Sequence, residues 1–547
     1  MCSHVANVDP LWKENATCSC KRCVRSRTAS TVTETCMARY RQWIDEAGLQ
    51  VKPHQLDGMM WVLYHELYGE HRIGRGGIIA DEMGLGKTIL MLGAIVTNFK
   101  RRTLIVVPPA LLQQWKSVIE KFGVGLIGHT VVYHGYGVKN LTQQKVEESY
   151  IVLTTYGMIT KRKKEESMLT KIPWSRVIYD EAHHMRNPTR IYAGAKKLEA
   201  SIKWMVTGTP IQNSSKDLSA IINLCGIPIT QSMRAISDEA TFATFKKNLS
   251  FHLLRRTKKE VGIKLPTVNT HIIEVPWAGE NEKIVAAQIH SSLSFSDVNI
   301  ANVDRIIAYL NNSPLPMLTR SRQVCILPSM LAKVFNKMKR SDIIPDNIHL
   351  RDIETASKYT SILRTLFQRS PVAKKNNIPE YRRKLVFCHY RDEIDALQFG
   401  LKKLGISCAV IDGRTKKRER SNNLAYIPDY NEISSVCKQW HDALSSDIWR
   451  HINSYLGPEV LLLQIQTACE GLNLQHFQEI YFTSPHWNPA VEDQAVARAH
   501  RIGQKRPVDV FHFIMDGFGD GTKSIDQYCE LIQRTKRSIA DQLISKA

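Results

Sequence analysis

The sequence predicts an α/β fold in which parallel sheets are covered by helices on both faces. Short apolar runs rich in β-branched residues, such as Thr103–Val107, Val177–Tyr179 and Trp204–Val206, alternate with segments of helical periodicity. Runs of this kind are typical of strands that are buried between two layers of helices. The chain of 547 residues is also too long for one compact core, so we expect about two to four domains.

The segment Asp81–Thr88, with the sequence DEMGLGKT, lies between a predicted strand at Gly77–Ala80 and an apolar helix that begins near Ile89. A strand, a glycine-rich turn, a Lys-Thr pair and a helix form the layout of a phosphate-binding loop. The generic loop has glycine at its first position, where this chain has Asp81. Ligands of a parallel sheet bind at the carboxyl ends of its strands, which is where this segment lies.

Four residues of this segment have the chemistry that phosphate and Mg²⁺ need. Gly84 and Gly86 let the backbone approach an anion closely, so that N–H groups and the start of the helix face it. Lys87 supplies a positive charge, and the hydroxyl of Thr88 is a candidate Mg²⁺ ligand. The sequence therefore predicts that this loop binds phosphate groups.

A pair of carboxylates, Asp180 and Glu181, follows the predicted strand Val177–Tyr179. An aspartate at a strand end can hold Mg²⁺ through water, and the next carboxylate can orient or deprotonate an attacking water. In isolation such a pair is common in surface turns. Its position in the same strand–helix series as Lys87 and Thr88 favours a role in phosphate chemistry instead.

The chain carries 74 Lys and Arg against 52 Asp and Glu, a formal net charge of +22. This excess favours a polyanionic partner, most simply nucleic acid bound through its phosphates, and a merely soluble basic surface is the alternative. The apolar runs are far shorter than the ~20 residues that cross a bilayer, and no signal peptide is apparent. We therefore expect an intracellular protein with no membrane partner.

Residues 1 to about 45 are polar and rich in Ser and Thr. They contain Cys18, Cys20, Cys23 and Cys36, which raises the question of a Zn²⁺ site, but the spacing lacks the paired knuckles of zinc modules. A flexible or locally packed extension is the simpler prediction. Scattered cysteines elsewhere, such as Cys388 in an apolar run, indicate reduced thiols in an intracellular protein.

Several ordered segments resemble the Swi/Snf-type ATPases, the double-stranded-DNA translocase branch of helicase superfamily two. The segments are Val51–Gly58, Asp81–Thr88, Asp180–His183, Thr207–Asn213, Leu253–Lys258 and Trp487–Gln504. The family's phosphate loop also has Asp-Glu-Met in front of its glycines, which accounts for the missing first glycine. The resemblance implies two RecA-like lobes, each a parallel sheet flanked by helices, joined by a helical connector.

The resemblance implies an ATP-Mg²⁺ site on the first lobe. The residues implied in ATP binding are Gln55, Asp81, Glu82, Met83, Gly84, Leu85, Gly86, Lys87 and Thr88. Mg²⁺ is assigned to Thr88 and Asp180, and water activation to Glu181. The resemblance also implies that His183 couples the carboxylate motif to Thr207–Thr209.

On the second lobe, Gln494, Arg498 and Arg501 are expected on one face of a helix that runs to His500. Surface salt bridging is the alternative for such arginines. The resemblance implies that Arg498 and Arg501 reach the γ-phosphate held by the first lobe and spread transition-state charge.

The predicted domains are an extension (1–45), an ATP-binding lobe (46–265), a partly helical connector (266–349) and a second lobe (350–547). Residues 419–458 are an insert in which the spacing of Trp440, Leu444 and Ile448 predicts an amphipathic helix. Cys325 is the only cysteine between Cys225 and Cys388, so the RING finger of some relatives is not inserted.

Ala468 and Cys469 stand where the family has two glycines, and we expect this change to alter the coupling between hydrolysis and movement. DNA contacts are implied at Thr154, Trp487 and Asn488, with a core position as the alternative for Trp487. We therefore expect a DNA-stimulated ATPase that moves on double-stranded DNA, either bare or in nucleoprotein such as a nucleosome or a transcription or replication complex.

Two other functions stay open at this point. One is a strand-separating DNA or RNA helicase, and the other is a nucleic-acid-binding scaffold with an inactive ATPase site. The family places the protein in the nucleus, with a viral replication compartment as the alternative.

Overall fold

The computed structural model describes most of the chain, and the chain divides into two compact units. The described residues are 21–68, 75–123, 125–160, 166–185, 189–209, 215–227, 249–291, 293, 315–370, 372, 382–415, 457–468, 472–519 and 521–544. Unit 1 ends at Gly262 and unit 2 begins at Ile263, apart from two short pieces at residues 211–215 and 546–547. The two units correspond to the two lobes that the sequence predicts.

Unit 1 is built on a parallel sheet whose strands are short, apolar and mostly buried. The strands are β1 (Arg75–Ile79), β2 (Thr103–Val107), β3 (Thr130–Tyr133), β4 (Ile151–Thr155), β5 (Trp174–Asp180), β6 (Ala200–Val206) and β7 (Leu253–Leu254). Their order across the seven-stranded sheet is β3-β4-β2-β5-β6-β1-β7, and every pairing is parallel. All residues of β2 and β4 are buried, as expected for strands covered on both faces.

The helices of unit 1 connect these strands. They are α1 (Lys21–Glu46), α2 (Pro53–Tyr68), α3 (Lys87–Thr97), α4 (Leu112–Phe122), α5 (Gln143–Glu148), α6 (Arg190–Lys196) and α7 (Ser215–Cys225). The helix α3 begins directly after the phosphate loop, so the predicted order of strand, turn and helix is confirmed.

The helix α1 differs from the polar extension that the sequence predicts for residues 1–45. Cys36, Tyr40 and Trp43 recur at helical spacing and are at most 5% exposed, and they belong to the core of unit 1. The indole Nε1 of Trp43 also donates a hydrogen bond to the carbonyl of Phe122 at 2.7 Å. Because α1 buries this face, its C-terminal half is part of the first lobe.

The course of α1 also bears on the Zn²⁺ question. Cys23 and Cys36 lie on the same helix, 13 residues apart, which separates them by about 20 Å along its axis. Cys36 is a free, buried thiol. Cys23 and Cys36 therefore do not share one metal ion, and the described residues contain no cluster of His, Cys, Asp and Glu suited to one. Cys18 and Cys20 lie outside the described residues.

Unit 2 is built on a second parallel sheet. Its strands are β8 (Val268–Val275), β9 (Lys384–Cys388), β10 (Cys408–Ile411), β11 (Val460–Gln464), β12 (Glu479–Phe482) and β13 (Val508–Met515). Their order in the six-stranded sheet is β10-β11-β9-β12-β13-β8, again with parallel pairing throughout. With two parallel sheets flanked by helices, the predicted α/β class is confirmed.

The helices of unit 2 include the segment that carries the two candidate arginines. They are α8 (Glu280–Ser291), α9 (Leu315–Ile326), α10 (Phe335–Arg340), α11 (Ser357–Gln368), α12 (Arg391–Lys403), α13 (Ile465–Ala468), α14 (Pro489–Ala499) and α15 (Ile525–Ile544). Among the described helices of both units, none is long and apolar enough to span a membrane.

The predicted connector, residues 266–349, is integrated into unit 2 instead of standing apart from it. The strand β8 pairs along its whole length with β13, from Val268 opposite Val508 to Val275 opposite Met515. The helices α8 and α9 share a buried apolar cluster. Strand pairing between residues so far apart in sequence leaves no local pattern. The sequence therefore predicts that the second lobe begins at residue 350, whereas unit 2 begins at Ile263.

Three sequence predictions fall on residues outside the described part of the chain. These are residues 210–213 of the Thr207–Asn213 motif, Cys469 of the altered glycine pair, and nearly all of the insert at 419–458.

Candidate nucleotide-binding site

The phosphate loop adopts the backbone conformation that its glycines predict. Gly84 and Gly86 have φ angles of 91° and 86°, in the left-handed region where a side chain is strained. Gly86 is also the N-cap of α3, with no side-chain cap. The first N–H groups of α3 therefore have no capping side chain, as in helix starts that bind anions.

Lys87 lies in a buried site whose electrostatics depend on distant segments. Its Nζ donates hydrogen bonds to the carbonyls of Asp81 at 2.7 Å and Glu82 at 3.4 Å. Burial lowers the pKa of Lys87, while the negative charges of Glu181 and Asp180 act to raise it. Lys87 is thus brought together with the carboxylate pair, more than ninety residues further along the chain.

Asp180 is anchored at the end of β5. Its carboxylate accepts a hydrogen bond from Nε1 of Trp115 at 2.7 Å and from the N–H of Glu181 at 3.0 Å. Burial and the charge of Glu181 raise the pKa of Asp180 to about 6, although Trp115 and Lys87 act in the opposite direction. A carboxylate oxygen can accept more than one bond, so these contacts leave Asp180 with lone pairs for a cation.

Glu181 and His183 connect the carboxylate motif to the end of β6. Glu181 has a φ of 53°, which is rare for a residue other than glycine and is a mark of functional sites. Nδ1 of His183 lies 3.2 Å from Oε2 of Glu181 and 3.1 Å from Oγ1 of Thr207. The hydroxyl of Thr207 also accepts from the N–H of Thr209 at 3.2 Å. These contacts form the connection that the resemblance implies for His183.

The Thr207–Thr209 turn also approaches the phosphate loop. A Cβ atom added at Gly208 would lie 2.8 Å from Cγ of Met83 and 3.4 Å from Nζ of Lys87. Gly208 is therefore required by close approach. Met83 contributes packing at this point.

Gln55, at the start of α2, faces the loop from another side. Its amide Nε2 donates to the carbonyl of Leu85 at 2.5 Å and lies 3.5 Å from that of Gly86. Its Oε1 is buried and has no hydrogen-bond partner among the described residues. An acceptor left over in this way fits an exocyclic amino group such as that of adenine.

Asp81 and Glu82, predicted to bind ATP, have their side chains engaged by protein groups. The guanidinium of Arg256 forms a two-pronged ion pair with Asp81, and Nζ of Lys258 lies 3.1 Å from the Glu82 carboxylate. Asp81 is 1% exposed. Asp81 and Glu82 therefore contribute their backbone to the loop. The sequence analysis assigns no individual role to their partners, Arg256 and Lys258. The complementary charges of Asp81 and Glu82 and of Arg256 and Lys258 are the sequence signal that could have shown the pairing.

The prediction that Thr154 contacts nucleic acid is wrong. Thr154 lies in β4 with 0% exposure, and its hydroxyl donates to the carbonyl of Tyr133 at 2.8 Å. The strand β4 is flanked by β3 and β2 in the sheet, so its side chains pack under helices.

Two other predicted nucleic-acid contacts lie in unit 2. Asn488 is the N-cap of α14, where its side chain accepts from the N–H of Ala490 at 3.1 Å, and it is 5% exposed. It therefore presents little surface to a nucleic acid. Trp487 is partly buried against the core of unit 2, with the guanidinium of Arg322 6.0 Å from its ring.

The candidate arginines lie at the C-terminal end of α14. This helix ends at Ala499, so Arg501 lies in the following turn and does not share a helix face with Gln494 and Arg498. Burial and the charge of Arg498 lower the pKa of Arg501, which indicates that the two cations are close. Gln494 is 5% exposed. Two neighbouring cations, one of them substantially buried, are suited to bind an anion.

Comparisons with known proteins identify relatives over most of the chain. A family model described as the SNF2-related domain matches residues 54–330. A "Probable global transactivator" of Orgyia pseudotsugata multicapsid polyhedrosis virus is 26% identical over 505 residues, which are 90% of this chain and 91% of that protein. "Transcription regulatory protein SNF2" of Saccharomyces cerevisiae is 26% identical over 85% of this chain but only 26% of its own length.

This chain spans less than half the length of the yeast and Arabidopsis relatives. "Protein CHROMATIN REMODELING 24" of Arabidopsis thaliana, for example, is 26% identical and is covered over 44% of its length. Among solved structures, the Sulfolobus solfataricus SWI2/SNF2 ATPase core in complex with dsDNA is 21% identical, with a TM-score of 0.37 over 91% of this chain and 93% of that one.

Proposed function

The chain belongs to the SNF2-related family, and from this membership we propose that it is an ATPase that couples hydrolysis to movement along double-stranded DNA. The observation that carries the proposal is the meeting of Lys87, Asp180 and Glu181 in one buried site of unit 1. A lysine at a helix start opposite two carboxylates is the arrangement for binding and hydrolysing a nucleoside triphosphate.

In this proposal the residues of unit 1 hold ATP-Mg²⁺. Gln55 accepts from the adenine amino group, Lys87 contacts the outer phosphates, and the hydroxyl of Thr88 and the carboxylate of Asp180 hold Mg²⁺. When bound there, Mg²⁺ would neutralise part of the phosphate charge. The remaining lone pairs of Asp180 and the half-buried position of Thr88 fit this role, since Mg²⁺ takes oxygen ligands and keeps several waters.

Glu181 orients the attacking water and takes its proton. Its left-handed backbone and its contact with His183 hold the carboxylate in one direction, and Thr207 fixes His183 in turn. Arg498 and Arg501 supply positive charge to the transition state. In this proposal the hydrolytic residues come from both units, with Glu181 in unit 1 and the two arginines in unit 2.

We propose double-stranded DNA as the polyanionic partner. The formal net charge of +22 supports phosphate binding, and relatives named as transcription and chromatin-remodelling proteins support DNA or nucleoprotein as the substrate. The same relatives suggest the nucleus, and the viral transactivator suggests a viral replication compartment as the alternative.

A strand-separating helicase is the second candidate, since "Uncharacterized ATP-dependent helicase" of Mycoplasma pneumoniae is 27% identical over 85% of this chain. The deciding experiment measures steady-state ATP hydrolysis with duplex DNA, single-stranded DNA and RNA at one salt concentration. The translocase proposal expects the largest stimulation from the duplex. Equal stimulation by RNA would contradict it, and absence of any hydrolysis would favour the inactive scaffold.

A further inference from the structure

The phosphate loop is strand-paired to the segment by which the chain leaves unit 1. The strands β1 and β7 pair at Ile78–Leu253 and Ile79–Leu254. This ladder continues into the loop itself, because the N–H of Ala80 donates to Leu254 at 2.7 Å and that of Glu82 donates to Arg256 at 2.9 Å. The first half of the loop is therefore held in an extended conformation, which does not need the glycine of the generic pattern.

Three basic side chains of the exit segment bind Ala80, which directly precedes the loop, and the first two loop residues, Asp81 and Glu82. Nη1 of Arg255 donates to the carbonyl of Ala80 at 2.9 Å. The guanidinium of Arg256 donates two hydrogen bonds to the Asp81 carboxylate. The Glu82 carboxylate lies 3.1 Å from the ammonium of Lys258 and accepts a hydrogen bond from the backbone N–H of Lys258 at 2.7 Å. We name Arg255, Arg256 and Lys258 the exit clamp.

Arg256 also reaches the opposite side of the nucleotide site. Its Nη1 donates to the carbonyl of His54, next to Gln55 on α2. A Cβ atom added at Gly58 would lie 2.8 Å from Nη2 of Arg256, so that α2 closely approaches the guanidinium. One side chain thus links the segment that faces the base with the loop that faces the phosphates.

Lys87 uses the same two residues of the loop. Its Nζ donates to the carbonyls of Asp81 and Glu82. A lysine that turns towards a phosphate gives up such bonds, and the loop then loses its internal tie. The exit clamp binds the side chains and backbone of these residues from the other direction, so it remains when Lys87 leaves.

We propose that Arg256 and Lys258 are positioning residues that keep the phosphate loop in its nucleotide-binding conformation. The inference rests on the proposed function, since it assigns a role in ATP binding. The exit segment would then be connected to the nucleotide through the phosphate loop. It is also close in sequence to unit 2, which begins at Ile263, five residues after Lys258. A purely stabilising role for these ion pairs is the alternative.

The buried pair Glu66–Arg176 offers a matched control for that alternative. It is a two-pronged ion pair in the same unit, with both side chains at 0% exposure. Arg176 precedes Asp180 by four residues of β5, about 13 Å along the strand. Neutralising one member of either pair leaves a buried charge and should lower stability to a similar extent.

The experiment measures the Kd of a fluorescent ATP analogue with Mg²⁺ and the thermal midpoint for Asp81→Asn, Arg256→Gln, Glu82→Gln and Glu66→Gln. We expect a Kd raised about tenfold or more for the clamp variants, since a small misplacement of a binding loop is costly. Glu66→Gln should lower the midpoint while its Kd stays within about twofold of wild type. The double variant Asp81→Asn/Arg256→Gln should bind the ATP analogue more tightly than either single variant, because it leaves no buried charge unpaired.

The clamp is refuted if its variants lose thermal stability like Glu66→Gln but keep the wild-type Kd. A different result tests the proposed function: a wild-type chain that binds no ATP analogue would overturn both proposals. If the wild type binds the ATP analogue and the clamp variants bind it equally well, only the proposed role of the clamp is contradicted.

Discussion

Lys87 and Glu181 bring opposite charges into one buried site of unit 1, and they act at different steps. The ammonium of Lys87 is directed at the loop where phosphates are expected, and the carboxylate of Glu181 is oriented by His183. In the proposed function neither residue contacts DNA. Loss of either should therefore separate hydrolysis from DNA binding.

We predict that Lys87→Ala and Glu181→Gln abolish ATP turnover, since they remove a phosphate charge and the water base respectively. DNA binding, measured by fluorescence anisotropy over a salt series, should keep the wild-type salt dependence. Turnover above about a hundredth of wild type in either variant would refute the assigned role of that residue.

Glu492, in the first turn of α14, is a buried carboxylate with its own pH dependence. It accepts from the N–H of His486 at 2.6 Å and from Gln533 at 2.9 Å, and its other oxygen lies 3.8 Å from Nδ1 of His512. Burial raises the pKa of Glu492 to about 7. A folded-state pKa above the unfolded value means that the stabilising contribution is complete below about pH 4.5 and is lost as the pH rises to 7.

Glu492→Gln should therefore be more stable than wild type at pH 8, with an advantage that grows from pH 5 to 8 by up to about 3 kcal/mol. Chemical denaturation of both proteins across this range gives the difference. Groups remote from Glu492 titrate in both proteins and cancel, and His512, whose pKa is lowered to about 4 by burial, stays neutral over this range. A difference that is flat with pH would show that Glu492 is ionised in the folded protein throughout the range.

For single residues, the sequence predicts which side chains belong to the nucleotide site better than it predicts their burial and their contact partners. Lys87, Asp180 and Glu181 come together because each follows a strand of one parallel sheet, a rule that needs no coordinates. The ion pair of Asp81 and the burial of Thr154 are not predicted from the sequence, for a different reason. The partner of Asp81 is Arg256, 175 residues away, and the burial of Thr154 depends on which strands flank β4.

Among the elements, α1 shows what packing adds to the first lobe. Its sequence is polar on average, and among the side chains that the structure describes, Cys36, Tyr40 and Trp43 with their neighbours form a narrow buried face. A helix with so thin an apolar stripe is recognised only when the surface that it covers is known. Short central strands such as β2 are recognised directly, because they are apolar at every position.

Trp43→Ala should lower the free energy of unfolding by about 3–5 kcal/mol, the usual cost of deleting a buried aromatic side chain. Arg41→Ala, on the exposed face of the same helix, is the control and should change it by less than about 0.5 kcal/mol. Urea denaturation at one temperature compares the two. Equal stability of both variants would mean that α1 is not part of the core of the first lobe.

The strand β8 is the second element whose assignment required the structure. Its residues are mostly exposed, and its pairing with β13 joins positions 240 residues apart. The sequence therefore predicts a connector at residues 266–349, although β8 of this segment is the edge strand of the sheet of unit 2.

At the scale of the whole molecule, the residues that we propose to act in hydrolysis are found in both units. Unit 1 contains Lys87, Asp180 and Glu181, and unit 2 contains Arg498 and Arg501. The sequence predicts this division because the motifs follow the order of the family, whereas it does not predict the substrate on DNA.

Arg498→Ala and Arg501→Ala should each lower kcat by about 10³-fold, because an arginine that stabilises phosphoryl transfer acts mainly on the transition state. The Kd of the ATP analogue should change little, since unit 1 supplies the groups proposed to bind the ground state. Arg534→Ala is a suitable control, with an exposed side chain paired to Glu530 on α15. A raised Kd with unchanged kcat would place the arginines in ground-state binding instead.

The central claim, that ATP hydrolysis moves this protein along duplex DNA, is tested most directly by triplex displacement. A labelled third strand is bound to a duplex away from the ends, and its release is followed with ATP, without ATP and with Lys87→Ala, beside a strand-separation assay on the same duplex. We predict ATP-dependent release of the third strand by the wild type alone, while the two duplex strands stay paired. Failure to release the third strand despite ATP turnover, or separation of the duplex, would contradict the claim.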